Sequence, residues 1–104
     1  MGKLTYDSTL VADFDDRVLA HLQIVIASKL RRGEGFIFSW RDNQDTGDGR
    51  TALWLAPGIP LAFKYNGGRH PSINRNWVEA LHQASIATAG LRIVPEPAPP
   101  EEPV

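Results

Sequence analysis

The chain has 104 residues, with 11 basic and 12 acidic side chains, a formal charge of −1 and no cysteine. This length allows one core, because independent domains run to roughly 50–200 residues. The missing cysteine excludes disulfides, thiolate metal sites and cysteine nucleophiles, and a near-neutral charge permits an anionic ligand without demanding one, dedicated nucleic-acid binders being far more basic.

The start, Met1-Gly2-Lys3-Leu4-Thr5-Tyr6-Asp7, has no apolar signal core, and Tyr6 stands where an N-myristoylation signal needs Ser or Thr. No apolar run approaches the roughly 20 residues of a membrane span, so a soluble cytoplasmic protein is expected. Leu4–Tyr6 and Leu10–Phe14 alternate apolar and polar residues around Asp7-Ser8-Thr9 and predict a hairpin. Asp15 is placed to cap a helix running from Asp16 to Arg32. Val18, Leu19, Leu22, Val25, Ile26 and Leu30 give it one apolar stripe, and Gly33 ends it. Ala20, Ile24 and Ala27 form a second apolar face, which is either the contact surface of a homodimer or a few exposed small residues around one isoleucine.

Phe36–Arg41 predicts a strand with Phe36, Phe38 and Trp40 on one side and Ile37, Ser39 and Arg41 on the other. A polar loop over Asp42–Arg50 leads to strands at Thr51–Ala56 and Leu61–Tyr65, which are expected to complete a three-strand meander. Asn74 caps a helix over Arg75–Thr88, closed by Gly90, and Leu91–Val94 adds a last short strand. Residues 95–104 hold five of the eight prolines and three glutamates, and they predict an extended, disordered tail. Without the tail the charge becomes +2. The expected fold over residues 1–94 is therefore α+β in the order ββαβββαβ, an antiparallel or mixed sheet with two helices on one face.

The stretch Lys64-Tyr65-Asn66-Gly67-Gly68-Arg69 resembles Lys-x-Asp-Gly-x-Arg, the nucleotide-attachment motif of ATP-dependent DNA ligases, with Asn66 at the Asp position. That resemblance implies ATP and Mg²⁺ as cofactors, Lys64 as the nucleophile that forms a lysyl-adenylate, and Arg69 as a nucleotide contact. The chemistry needs a neutral amine beside phosphate-binding cations. No downstream Lys-x-Lys element follows. The whole chain also resembles a family of small actinobacterial proteins labelled "ATP-dependent DNA ligase", through Gly-Lys-Leu-x-Tyr-Asp-Ser at its start, Asp-Asp-Arg-x-Leu-Ala-His-Leu-Gln in the first helix and Pro-Ser-Ile-Asn-Arg-x-Trp before the second.

Read from the residues alone, the same region is an anion site: Arg69, His70, Ser72, Asn74 and Arg75 cluster at the start of the second helix, where backbone N–H groups lack partners. Ser39, Arg41, Trp54 and Lys64 are expected on an open sheet face, the composition of a platform for single-stranded nucleic acid. Asp42, Asp45 and Asp48 do not have calcium-loop spacing, and His21, His70 and His82 do not have metal-ligand spacing. No metal or other cofactor is expected outside the ligase reading. The sequence thus favours a non-enzymatic module that binds a phosphate-bearing ligand or nucleic acid. The alternatives are a ligase-like adenylyltransferase and a homodimer without ligand.

Overall fold

A computed structural model describes residues 1–42 and 49–101. The elements are β1 (Gly2–Tyr6), β2 (Leu10–Phe14), α1 (Asp16–Arg31), β3 (Phe36–Arg41), β4 (Arg50–Leu55), β5 (Leu61–Lys64), α2 (Arg75–Ile86) and β6 (Leu91–Arg92). The α+β class and the predicted element order are as expected.

The strands are divided between two three-stranded sheets rather than gathered in one. The first is antiparallel in the order β2-β1-β5, and the second runs β4-β3-β6 with β6 parallel to β3. The expected meander is therefore corrected. β3 and β4 pair, but β5 crosses to β1 with Leu4 opposite Phe63 and Lys3 opposite Lys64. The alternation of β5 is compatible with this place: Leu61 and Phe63 extend the inner row formed by Leu4, Tyr6, Ala12 and Phe14.

Local signals set the boundaries. Asp7 and Ser8 both take the left-handed conformation in the β1–β2 turn (φ 50° and 59°), as short polar turn residues can. The Asp15 carboxylate accepts from the Arg17 N–H at 3.3 Å and opens α1. Gly90 is required twice over: its φ is +87°, and a Cβ there would lie 2.2 Å from the Ile37 carbonyl oxygen.

One core joins the two sheets to the helices. Leu19, Leu22, Val25 and Ile26 of α1 and Trp77 and Leu81 of α2 meet Leu4, Phe14, Phe36, Phe38, Leu53, Leu55 and Leu91. Phe14, Phe38 and Trp40 stack within it at 5.0–6.0 Å between ring centres. The outer rows of both sheets are largely left to solvent.

Candidate functional site

Lys64 ends β5 on the outer face of the first sheet. Its cross-strand neighbour is Lys3, whose ammonium is paired with Asp13 at 2.6 Å. Beyond Tyr65 the chain turns so that the N–H groups of Asn66 and Gly67 point together. They donate to the two carboxylate oxygens of Asp16, at 3.1 and 2.9 Å. The Gly67 bond, then the Asn66 bond, hold the Asp16 carboxyl below its ordinary range. Burial, with the Asp16 charge second, pushes the Tyr65 phenol up, and its hydroxyl donates to Gln23 at 2.5 Å. The ligase-like turn thus already holds a carboxylate of α1, while Arg69 and His70 are exposed.

The start of α2 is filled in a similar way. Asn74 is buried, and its side-chain oxygen accepts from the N–H groups of Asn76 and Trp77 at 3.0 and 3.4 Å. Its amide nitrogen donates to Glu96 and to the Pro97 carbonyl, both at 2.9 Å. Arg17 grips the same Glu96 carboxylate from Nε (2.9 Å) and Nη2 (2.5 Å), a bidentate pair, and its Nη1 donates to the Ser72 carbonyl at 2.7 Å. The Arg17 bond, then that of Asn74, push the Glu96 carboxyl down to about 2, and Glu96 raises Arg17 in return.

His21, fully buried, lies beneath this cluster. Its Nε2 accepts from the Asn74 N–H at 2.9 Å, which places the proton on Nδ1, where it donates to the Arg17 carbonyl at 2.7 Å. The Trp77 ring lies 4.5 Å from the imidazole, its Nε1 donating to Val94, and Asn76 reaches the Ala98 carbonyl at 3.0 Å. Residues 94–98, including the part that composition assigns to the tail, are therefore tied to both helices. Arg75 and the Ser72 side chain are exposed at the rim.

The outer row of the second sheet is different. Arg41 stands directly opposite Arg50, Ser39 lies between Ala52 and Arg92, and Ile37 faces Trp54. Ser39, Trp40, Arg41, Arg50, Arg92 and Ile93 line a shallow groove. Trp54 is 53% exposed, and its indole lies against Gly35, where an added Cβ would meet it at 2.6 Å. Among the described residues no ion pair engages Arg41, Arg50 or Arg92. Asp42 is turned the other way and accepts from the Thr51 hydroxyl at 2.9 Å. Asp45 and Asp48 lie outside the described residues.

The structure therefore brings Arg41 and Trp54 onto one face as expected and corrects the position of Lys64, which is on the other sheet. Sequence reasoning missed Arg50 and Arg92. Arg50 shares the alternation of Ala52 and Trp54, so starting β4 one residue earlier would have found it. Arg92 needed the β3–β6 pairing, which no local pattern announces.

Ala20, Ile24 and Ala27, the second apolar face of α1, line a groove of about 470 Å³ with Phe63, Pro71 and Ile73. No helix among the described residues is long and apolar enough to cross a membrane.

No curated protein and no solved structure matches the chain. Residues 1–96 match the family described as Domain of unknown function (DUF7882), and the chain belongs to that family.

Proposed function

We propose that the outer face of β4-β3-β6 binds single-stranded nucleic acid, with Arg41, Arg50 and Arg92 on the phosphates and Trp54 under a base. The observation that carries this reading is the pairing of Arg41 with Arg50 directly across two strands, with Arg92 on the same face and no described carboxylate to offset them. Like charges directly opposite in a sheet are destabilising. A local rule broken at such a pair is the kind of departure expected at a ligand site. Guanidinium groups suit phosphate because their planar fork donates two parallel hydrogen bonds. Trp54 lies four residues from Arg50 along β4, about 13 Å, so a strand lying along β4 would have phosphates at one end and a stacked base at the other. Nothing in this arrangement requires a reaction, and the module is non-enzymatic on this reading.

The test is fluorescence anisotropy of a labelled single-stranded oligonucleotide over a salt series. Affinity is expected to fall steeply with salt, and Arg50→Ala and Arg92→Ala are each expected to weaken binding and flatten the slope by about one phosphate contact. Arg69→Ala and Arg75→Ala test the loop–helix site in the same assay. If those two weaken binding and the sheet arginines do not, the ligand sits at the helix start instead. A response flat in salt sinks both.

Adenylyl transfer through Lys64 with ATP and Mg²⁺ is the competing proposal. Its support is the six-residue motif. Against it stands a turn whose N–H groups are already taken by Asp16.

A further inference from the structure

The outer stripe of α1 has an order that its burial does not explain. Asp16, Ala20, Gln23, Ile24, Ala27 and Arg31 follow one another at helical spacing along the side of the helix away from Leu19, Leu22 and Ile26. Ala20, Gln23, Ile24, Ala27 and Arg31 line the groove whose other wall is Phe63, Tyr65, His70, Pro71 and Ile73. Ile24 and Ile73 are 38% and 44% exposed there, so apolar side chains face solvent from both walls.

The stripe is complementary to itself when reversed. Its midpoint falls between Gln23 and Ile24. Turning a second helix end for end about that point sets Ala20 against Ala27, Ile24 against Gln23, and Asp16 against Arg31. The acid and the base lie about 22 Å apart along one helix, so an antiparallel pair makes the same ion pair at each end. The alanines on either side of Ile24 leave room for the close approach of two helices, 8–10 Å between axes. The Asp16 carboxylate accepts one bond at each oxygen from the Asn66 and Gly67 N–H groups, which leaves each oxygen a lone pair for a guanidinium. A partner of unrelated sequence would have to reproduce this reversed order, whereas a second copy of the chain has it by construction.

We infer that this face is an isologous dimer interface, with α1 packed antiparallel on α1 of a second copy and the two-fold axis passing between Gln23 and Ile24. The Ile73 side chains close the groove on either side, and Arg31 of each copy reaches Asp16 of the other. The interface lies on a different element from the arginine face, so dimerisation and nucleic-acid binding are separable.

Sedimentation of the full chain over a concentration series tests this, together with single-cysteine variants, for which a cysteine-free chain gives a clean background. Wild type is expected at twice the chain mass. Ile24→Glu is expected to yield a monomer with unchanged circular dichroism, and Arg31→Glu to raise the dissociation constant about tenfold. Because Ile24 lies at the axis, Ile24→Cys is expected to form an intermolecular disulfide under mild oxidation, while Ile86→Cys, exposed elsewhere on the molecule, is not. A wild type that stays at the mass of one chain overturns the proposal. So does a dimer that survives Ile24→Glu, or one in which Ile24→Cys cross-links no faster than Ile86→Cys. The last two outcomes would place the interface, or a different partner, on another face.

Discussion

Two polar regions of this small domain treat their charges in opposite ways. Around the start of α2, Arg17, His21, Asn74 and Glu96 satisfy one another within the chain, down to the tautomer of the imidazole. On the outer face of β4-β3-β6, Arg41 and Arg50 stand side by side with Arg92, and no ion pair among the described residues engages them. The comparison separates two meanings of a polar cluster. Where each donor has its acceptor in the same chain, the cluster stabilises the fold and leaves little for a ligand to do. Where like charges are held together, the fold bears a cost that an opposite charge brought alongside lowers.

The largest effect that would sharpen this contrast is expected from His21→Leu. It leaves the buried Asn74 N–H without an acceptor, while the Arg17 carbonyl, which also takes part in the α1 helix, loses only its second donor. An uncompensated buried group costs about 1–3 kcal/mol, so a loss of about 2 kcal/mol is expected, read from the urea midpoint at constant slope. A loss under about 1 kcal/mol would mean that water replaces the imidazole and that the cluster is looser than its geometry suggests.

Glu96 gives a smaller effect with a definite sign. Its carboxyl is lowered from 4.5 to about 2 in the folded chain. A depressed carboxyl stabilises the fold above its unfolded value and loses that contribution as the pH falls through the folded one. Stability should therefore decline between about pH 5 and pH 2 more steeply in wild type than in Glu96→Gln. Asp16 is also lowered and titrates nearby, but it is present in both chains and cancels in the difference. Parallel acid-unfolding curves would show that the Arg17–Glu96 contact contributes little. The family match ends at residue 96, which is consistent with the clamp belonging to the domain rather than to a tail.

Much of the fold could be read from the sequence because its signals are local. The α1 stripe, the Asp15 and Asn74 caps and the stops at Gly33 and Gly90 depend on residues a few positions apart. The division into two sheets could not, because β5 pairs with β1 across more than fifty residues, and alternation fits either partner. Composition also gives no sign of the contacts made by residues 96–98. Pro95, Glu96 and Pro97 look like tail, but the side chains that hold them, Arg17 and Asn74, sit in the helices and carry no sequence mark of the contact. The candidate site divided along the same line. Arg41 and Trp54 were visible from strand alternation, Arg92 required knowledge of a parallel pairing, and the expected anion site at the start of α2 was drawn with free N–H groups that the Asn74 side chain takes up.

That turn supplies the smallest expected effect. Lys64 is exposed at the end of β5, its cross-strand neighbour is another lysine, and the following N–H groups are bonded to Asp16. Lys64→Ala should therefore change stability by less than about 0.5 kcal/mol, as for an ordinary surface position. Incubation with ATP and Mg²⁺ should leave the intact mass of wild type and variant equally unchanged. An adenylate on wild type alone would reverse the contrast between the two regions. The turn would then have to release Asp16 to admit a nucleotide phosphate, and the polar groups that now look structural would be the reactive ones. Asp16→Asn separates these cases. If Asp16 only braces the turn, the variant loses stability and gains no reactivity; if Asp16 holds a nucleotide site closed, the variant reacts faster than wild type.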